Sequence, residues 1–295
     1  MQTEKVFRYS FQMAEIVISL KTEQPIEISK RFQPFLLEEN SSGDYEVEFR
    51  EVNRLADLPE RWLYREQAFD VGRCASGRYC RRFRDMEKEE GFYAAAFYDW
   101  EQKKILVEYL SGGKENINQS DNCFFHIAWE TIMQLENRMI LHACGVDSSY
   151  GGILFSGRSG IGKSTQGRLW CEYEDAVQIN GDRPLIRKEG DRWYMYGAPY
   201  AGSSRCHVNR RAPIRAVVML QQGGRCKVRK LNAAEAFRKL YAEMTVSEWN
   251  PDCVNRSCDL AIALAAEVPV YEMECVPDRR AVETLKNTLL AEEFS

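Results

Sequence analysis

The chain has 295 residues, of which 44% are hydrophobic and 28% are charged. This is ordinary globular composition, with room for one large domain or two smaller ones. The formal net charge is −4, and no uninterrupted apolar run reaches the ~18 residues of a membrane-spanning helix. We therefore expect neither a nucleic-acid partner nor a membrane partner.

The N-terminal segment and the cysteines indicate the compartment. The first ten residues, MQTEKVFRYS, are charged and lack the apolar core of a secretory signal. The ten cysteines form no CxxC pair and the chain has only three histidines, so the spacing does not predict a zinc site. We expect a cytoplasmic protein with reduced thiols.

Residues 1–120 predict a β-rich N-terminal domain. VFRYSFQMAEIVISL is dense in β-branched and aromatic residues, and DYEVEFREV alternates polar with apolar positions. GFYAAAFYDWEQKKILVEYL predicts a hairpin that turns near Asp99 to Gln102. The intervening YREQAFDVGRCASGRYCRRFRDMEKEEG is charged and poorly periodic, so we interpret it as a surface loop. Its arginines are expected on a solvated face, with partner binding as the alternative: Arg78, Arg81, Arg82 and Arg84.

Residues 121–295 are expected to form a second domain. DNCFFHIAWETIMQLENRMI has helical periodicity, with Asp121 as a capping residue. MILHACGVD and GGILFSG predict a hairpin that leads into a glycine-rich loop. KSTQGRLWCEYE then predicts a helix and DAVQIN a strand.

The C-terminal third continues with further hairpins. PLIRKEGDRWYMYG and IRAVVMLQQGGRCKVRKL predict hairpins with turns at Gly190-Asp191 and Gly223-Gly224. NAAEAFRKLYAEM predicts a helix with a capping box between Asn232 and Glu235. VPVYEMEC predicts a strand, and PDRRAVETLKNTLLAEEF a closing helix. Because hairpins replace regular βαβ alternation, the pattern predicts an α/β fold with a mixed sheet.

The glycine-rich loop, GRSGIGKS at residues 157–164, matches the Walker A pattern G-x-x-x-x-G-K-[ST] at every fixed position. Glycines allow the backbone to curl so that N–H groups face an anion, and the following helix N-terminus favours negative charge. A chance match in a chain of this length has a probability on the order of one in a hundred. The alternative is a glycine-rich turn with a helix-capping serine. The predicted nucleotide-binding residues are Gly157, Ser159, Gly160, Ile161, Gly162, Lys163, Ser164 and Thr165.

Two polar residues near the predicted strands are candidates for chemistry. Asp182 follows the DAVQIN strand in AVQINGDRP, where it is either a metal or acceptor-site carboxylate or an ordinary turn residue. His142 lies in ILHACGV, one strand before the loop, and its alternative is a hydrogen-bonded core histidine. His126 and His207 are weaker candidates.

A loop with the sequence YGAPYAGSSR follows the second predicted hairpin strand. It ends at Arg205, which we expect either to reach a phosphate on the substrate side or to lie in a surface turn. Arg183, directly after Asp182, is a second candidate on the substrate side. The sequence has no nucleophile elbow and so does not favour acyl transfer.

These motifs together, LHACGVD, GGILFSGRSGIGKST and INGDRPLIR, resemble the catalytic domain of HPr kinase/phosphorylase. That family shares its P-loop fold with ATP-type phosphoenolpyruvate carboxykinases. The resemblance is strongest over residues 139–190, weakens toward residue 285, and does not include residues 1–120. It implies a P-loop domain with a mixed sheet after a β-rich domain.

The resemblance also implies roles for individual residues. The glycine-rich loop would bind ATP, Lys163 would contact the β- and γ-phosphates, and Ser164 would bind Mg²⁺. Asp182 would be the base that activates an acceptor hydroxyl and a metal ligand, with His142 beside it. The family usually has Asp-Asp-Arg where this chain has Gly181-Asp182-Arg183. Either Asp182 acts alone, or a second acid comes from elsewhere.

We therefore expect an ATP- and Mg²⁺-dependent serine kinase, which acts on a small protein or peptide. Because residues 1–120 differ from the N-terminal domain of HPr kinase, the resemblance implies a divergent branch of that family. A nucleotide-binding regulatory or scaffold protein and an ATPase are the alternatives, and Gly181 favours the first of these. The domain 1–120 is expected to hold the acceptor. The sequence does not identify the acceptor. It also leaves open whether the nucleotide is ATP or GTP and whether the chain forms an oligomer.

Overall fold

The computed structural model describes residues 5–39, 41–55, 58–59, 61–85 and 91–291. The chain divides into two compact units, Met1–Trp129 and Glu130–Ser295. From the sequence we assigned residues 121 onward to the second domain, whereas the structure places the segment up to Trp129 in the first unit.

The first unit is built on an eight-stranded mixed sheet. Its strand order is β1-β2-β3-β8-β7-β6-β5-β4, with β2-β3 and β3-β8 parallel and the other neighbours antiparallel. The strands are β1 (Phe7–Met13), β2 (Ile16–Thr22), β3 (Tyr45–Val52), β4 (Trp62–Arg65), β5 (Phe69–Arg73), β6 (Tyr79–Arg84), β7 (Phe92–Asp99) and β8 (Lys104–Leu110). The N-terminal part is thus β-rich, as predicted.

Alternation along β3 shows why this sheet has one buried face. Tyr45, Val47 and Phe49 are buried, whereas the glutamates between them point to the other side. The hairpin of β7 and β8 closes with Asp99 opposite Lys104, which confirms the predicted turn.

The arginine-rich segment forms strands instead of the expected surface loop. It contributes β4, β5 and β6, although residues 86–90 of the predicted loop lie outside the described residues. Arg82 and Arg84 pair with the buried carboxylate of Asp70, and Arg81 is only 4% exposed among aromatic rings. Of the four arginines, only Arg78 is exposed, so the prediction of a solvated arginine face was wrong. Arginine carries a long apolar stem and a planar head that stacks on aromatic rings, which allows this burial.

The predicted helix after residue 120 is interrupted. Helix α1 covers Ser120–His126 and α2 covers Trp129–Leu135, with Ala128 between them at a φ of 54°. The N-cap of α1 is Gln119, so Asp121 lies in the first turn and is not the cap.

The second unit is built on a nine-stranded mixed sheet. Its order is β12-β10-β11-β15-β14-β13-β9, and β17 pairs in parallel with β15 and antiparallel with β16. The strands are β9 (Met139–Ile140), β10 (Ala143–Ser148), β11 (Gly151–Ser156), β12 (Val177–Asn180), β13 (Leu185–Glu189), β14 (Arg192–Tyr196), β15 (Arg211–Gln222), β16 (Lys227–Lys230) and β17 (Val270–Cys275).

One predicted hairpin of the second unit has a different pairing. The strands β15 and β16 flank the turn at Gly223-Gly224 as expected, but β17 lies between them and pairs with both. The other two predicted hairpins, β10-β11 and β13-β14, are antiparallel pairs.

Four helices complete the second unit after α2. They are α3 (Lys163–Tyr173), α4 (Ala233–Ala242), α5 (Pro251–Glu267) and α6 (Arg279–Ala291). Helix α4 begins at the predicted capping box. Helices α4 and α5 cover a core with Leu240 and Leu264, and α3 and α6 cover a second core with Trp170 and Leu285. Within the described part of the chain, no helix is long and apolar enough to span a membrane.

Candidate functional site

Three chain segments meet at one edge of the second sheet because of its strand directions. Strand β10 runs antiparallel to β11, so Ala143 at the start of β10 pairs with Ser156 at the end of β11. Strand β12 also runs antiparallel to β10, and Asn180 at its end pairs with Gly145. The loop after β11, the residue before β10 and the turn after β12 therefore lie together.

The glycine-rich loop connects β11 to α3. Gly157, Gly160 and Gly162 have φ angles of 137°, 76° and 113°, which residues with a Cβ rarely adopt. An added Cβ at Gly160 or Gly162 would meet open space, so the backbone conformation explains glycine there and crowding does not. The N–H of Ile161 donates to Arg158 O at 3.2 Å and closes a turn within the loop. Ser159 is exposed beside this turn.

The loop ends at the N-terminus of α3. Gly162 is the N-cap and has no side chain to accept from the first helical N–H groups. Lys163, Ser164 and Thr165 form the first turn, and Gln166 N donates back to Gly162 O at 3.0 Å. Unpaired N–H groups and the helix dipole make such an end suitable for a phosphate. Ser164 is exposed and Thr165 is half-buried.

Lys163 is folded onto the loop. Its side chain is largely buried, and Nζ donates to Gly157 O at 2.8 Å and to Arg158 O at 3.3 Å. Burial lowers the pKa of Lys163, and the nearby carboxylates of Glu243 and Asp182 oppose that shift. An ammonium group has three N–H donors, so one remains beyond these two contacts for an anionic ligand.

Asp182 and His142 form a contact next to this loop. His142 Nε2 lies 3.3 Å from Asp182 Oδ1, and the two side chains are 29% and 30% exposed. The main chain holds the pair in place, because Ala143 N donates to Asp182 O at 2.9 Å. Ser156, the last residue of β11, donates its hydroxyl to His142 O at 2.9 Å and so connects the pair to the start of the loop.

A second carboxylate, which we did not predict from the sequence, contacts the same histidine. Glu243 is the C-cap residue of α4, and its Oε2 lies 3.2 Å from His142 Nδ1. The two residues are 101 positions apart, so no local spacing joins them. One weak signal was available: a carboxylate at a helix C-terminus opposes the helix dipole and is locally unfavourable.

The turn after β12 is fixed by a buried asparagine. Asn180 Oδ1 accepts from Asp182 N at 2.9 Å and from Arg183 N at 2.8 Å. Its Nδ2 donates to Ala198 O and Tyr200 O at 3.1 and 3.2 Å. One side chain thus determines both the direction of the Asp182 turn and the position of the following YGAPYAGSSR loop.

That loop lies directly against the Asp182 turn. A Cβ added to Gly202 would come within 2.9 Å of Asp182 Cβ, and one added to Gly181 within 2.0 Å of Ser204 Oγ. The loop ends at the exposed Arg205, which has a φ of 53°.

Arg183 lies on the other side of the carboxylate. Its Nε is 3.6 Å from Asp182 Oδ2, and its guanidinium donates to Thr245 Oγ1 at 2.7 Å. Both candidate substrate-side arginines, Arg183 and Arg205, thus belong to segments next to Asp182.

The two other histidines have different surroundings. His126 belongs to the first unit, where its ring nitrogens contact Asn122 O at 2.6 Å and Tyr93 Oη at 2.8 Å. Burial lowers the pKa of His126 to about 4, so the ring is neutral at pH 7. It is a core histidine. His207 is half-buried in the segment after Arg205.

Comparisons with known proteins identify a distant structural neighbour but no family. No family model matches the chain, and no curated protein matches it. The solved structure of the Hpr(Ser) kinase/phosphatase from Coxiella burnetii aligns with 52% of this chain and 89% of its own, at 13% sequence identity and a TM-score of 0.33. Similarity at this level assigns no residue, so the site is interpreted from its own geometry.

Proposed function

We propose that the protein is an ATP-dependent phosphotransferase that phosphorylates a Ser or Thr hydroxyl on a small protein or peptide, as HPr kinase-like serine kinases do. One observation carries the proposal: a Walker A-type loop and the Asp182–His142 pair meet at one sheet edge, joined by the Ser156–His142 hydrogen bond. Phosphoryl transfer needs both a phosphate-binding element and a carboxylate near the acceptor.

The residues of the loop fit the phosphates of ATP. The open backbone at Gly160 and Gly162, the first N–H groups of α3 and the remaining N–H of Lys163 are all suitable donors to phosphate oxygens. In the proposal, these groups bind the phosphates and hold the γ-phosphate toward the Asp182 side of the site.

The fit for Mg²⁺ is partial. Among the described residues, no group of three or more His, Cys, Asp or Glu side chains is arranged so that it could hold a metal ion by itself. Mg²⁺ normally retains waters and phosphate oxygens in nucleotide sites, so Ser164 and Asp182 are sufficient protein ligands. When bound, the ion neutralises charge on the β- and γ-phosphates.

The carboxylate of Asp182 is the proposed base for the acceptor hydroxyl. It lies at the edge of the sheet with about a third of its side chain exposed, so a hydroxyl from another molecule can reach it. His142 orients one of its oxygens, and Arg183 lies near the other. In the proposal, the exposed Arg205 contacts a negatively charged group on the substrate side.

Gly181 favours a second candidate, a nucleotide-binding regulatory protein with little catalysis. The resemblance to HPr kinase leads us to expect a second aspartate here, and the chain has none at this position. An ATPase is the remaining alternative, because the same loop and base can activate water.

A labelled-phosphate assay distinguishes these functions. We expect purified protein with Mg²⁺ and ATP labelled in its γ-phosphate to transfer label to a macromolecule or peptide in a dialysed extract of the source cell. Asp182→Asn removes the base, so we expect transfer to fall about 10²- to 10⁴-fold while the Kd for ATP changes little. Asp191→Asn is the matched control, since Asp191 is an exposed turn residue between β13 and β14.

The molecule on which the labelled phosphate is found distinguishes the kinase, the ATPase and the regulatory protein. Label found only as free phosphate would identify an ATPase. ATP binding without loss of the γ-phosphate would support the regulatory protein and contradict the kinase. Lys163→Ala serves as the binding control, because losing its charge weakens nucleotide affinity in all three cases.

A further inference from the structure

The sheet of the first unit has a largely polar face opposite its buried core. Strand neighbours in register share a face, and every second residue of a strand returns to that face. The register therefore places two rows of side chains on this face, across β1, β2, β3, β8 and β7. One row is Arg8, Lys21, Glu48, Leu106 and Phe97, and the other is Ser10, Ser19, Glu46, Lys104 and Asp99.

A cavity of about 720 Å³ lies on this face, and both rows line it. Segment 41–43 forms one side of the cavity. Ser41 O accepts from the hydroxyls of Ser10 and Ser19 at 3.2 and 2.7 Å. A Cβ added to Gly43 would lie 2.7 Å from Ser19 Oγ, so the segment packs closely against β2.

The cavity is elongated. It crosses five neighbouring strands, and the intervals of ~4.8 Å between them give a length of about 19 Å. On the β7 side it ends at an apolar cluster, where Phe97 is buried with Cys80 and Leu106 packs against them. An extended chain of about six residues has the same length, so the shape fits a peptide segment better than a compact metabolite.

The charges that line the cavity do not balance. Among the described residues, five cationic side chains and three carboxylates line it. Glu48 lies 3.1 Å from both Lys21 and Arg50. Glu46 lies 4.0 Å from Lys104. Three of the five cations therefore have a carboxylate partner within the cavity.

The other two cations are Arg8 and Arg78. Both are exposed, and within the described part of the chain neither forms an ion pair. Arg78 Nε donates to Ser76 Oγ at 3.3 Å, which leaves the other N–H groups of its guanidinium for a ligand. Arg8 lies on β1. Arg78 directly precedes Tyr79, whose partner on β7 is Tyr98. The two arginines therefore lie toward opposite ends of the cavity.

Two exposed arginines without ion-pair partners favour a ligand that carries carboxylates. A guanidinium group binds a carboxylate through two parallel N–H groups. A nucleic acid is less favoured, because Glu46, Glu48 and Asp99 line the same cavity and repel a continuous phosphate backbone. A peptide that has acidic residues only toward its ends avoids most of this repulsion.

We propose that this cavity binds an extended peptide segment of about six residues, whose acidic side chains at the two ends contact Arg8 and Arg78. The identification of this segment as part of the phosphate acceptor rests on the proposed kinase function, whereas the binding itself does not. In that function the first unit selects the acceptor and the second unit transfers the phosphate.

Fluorescence anisotropy tests the binding without any need for activity. The probe is a labelled peptide of about nine residues with a glutamate near each end and neutral residues between, long enough to span the cavity. We expect the full-length protein to bind it saturably at low ionic strength and more weakly as salt is added. A second peptide with lysines in place of the glutamates should bind at least about 10-fold more weakly.

Charge reversal locates the binding site. We expect Arg8→Glu and Arg78→Glu each to raise the Kd for the glutamate peptide about 5- to 20-fold, because an attractive contact becomes repulsive. The double variant should bind the lysine peptide more tightly than the unsubstituted protein does. Both arginines are exposed, so the fold should be retained. The matched control is Arg65→Glu, which reverses an exposed arginine of β4 outside the cavity and should leave the Kd unchanged.

Three results would overturn the proposal. The first is the absence of saturable binding or equal affinity for the two peptides. The second is an equal loss of affinity in Arg65→Glu, which would indicate a general effect of net charge. The third is a single-stranded oligonucleotide that binds more tightly than the glutamate peptide and loses affinity in Arg8→Glu and Arg78→Glu, since this would identify a nucleic-acid ligand.

Competition connects the peptide with the acceptor. In the labelled-phosphate assay, we expect the glutamate peptide to inhibit transfer to the macromolecule in the extract, and to inhibit it less in the Arg8→Glu, Arg78→Glu double variant. Peptide binding without inhibition would contradict the identification with the acceptor. Failure of the kinase proposal is seen separately, as absence of transfer by the unsubstituted protein, and in that case the anisotropy measurement still decides whether the cavity binds an acidic peptide.

Discussion

Gly181 has no space for a side chain. A Cβ at this position would lie 2.0 Å from Ser204 Oγ and 2.7 Å from Gln178 Nε2. A second aspartate in the turn after β12 therefore requires the segment around Ser204 to move away. The glycine is a consequence of how closely the YGAPYAGSSR loop packs on this turn, and it does not by itself indicate an inactive site.

This packing predicts the stability of a pair of variants. Gly181→Ala should lower the free energy of unfolding by about 1–3 kcal/mol, because the new methyl group overlaps Ser204. Adding Ser204→Gly should recover part of the loss, as measured by urea unfolding. Gly224→Ala is the control, since a Cβ there meets nothing within 4 Å. If Gly181→Ala were as stable as the control, the close packing of Gly181 against Ser204 would be contradicted.

The site could be predicted from the sequence only where its residues are close in sequence or lie in a known motif. The loop 157–164 has a fixed spacing, and Asp182 follows a strand that its alternation reveals. Glu243 shares no pattern with either, because its contact with His142 depends on how the end of α4 docks on the segment before β10. Tertiary docking of this kind has no local sequence signature.

At the scale of elements, the N-terminus of α4 has a complete capping box. Asn232 Oδ1 accepts from Glu235 N at 2.9 Å, and Glu235 Oε2 accepts from Asn232 N at 3.2 Å. We expect Asn232→Ala to cost about 1 kcal/mol of unfolding free energy, because the N–H of Glu235 loses its side-chain acceptor. Urea unfolding measures this cost. Asn232→Ser keeps an acceptor and should stay close to the unsubstituted protein; equal losses in both variants would show that capping is not the cause.

The elements that were mispredicted have different causes. The arginines of β6 made a buried strand resemble a loop, since their apolar stems and ring contacts are invisible to a hydropathy pattern. The Gly223-Gly224 turn was found, but a turn signal cannot show that β17 inserts between the strands it joins. Helix α5 was not predicted, although Asn250 and Pro251 are typical of a helix start.

At the scale of the whole molecule, the residues of the candidate site all belong to the second unit. The loop, His142, Asp182 and Glu243 lie within Glu130–Ser295, which has its own buried cores. The proposed binding of the acceptor is assigned to the first unit, Met1–Trp129.

This division predicts separable activities. We expect the fragment 130–295 to bind ATP with Mg²⁺ about as tightly as the full chain, because every proposed nucleotide contact is present in it. We expect it to lose transfer to a macromolecular acceptor. Calorimetric titration and the labelled-ATP assay measure the two properties. Loss of ATP binding together with transfer would mean that the first unit is needed for folding and would contradict a dedicated acceptor-binding role.

Hydrogen bonds to main-chain atoms, and not the reactive side chains themselves, hold His142, Asp182 and Glu243 in position. His142 N donates to Glu243 O, Ala143 N donates to Asp182 O, and Ser156 donates to His142 O. None of these bonds involves an imidazole or a carboxylate, so exchanging the reactive groups leaves the anchoring bonds intact. The three positions can therefore accept other acids, bases or metal-binding side chains. We expect the backbone at this edge of the sheet to keep its conformation in such variants.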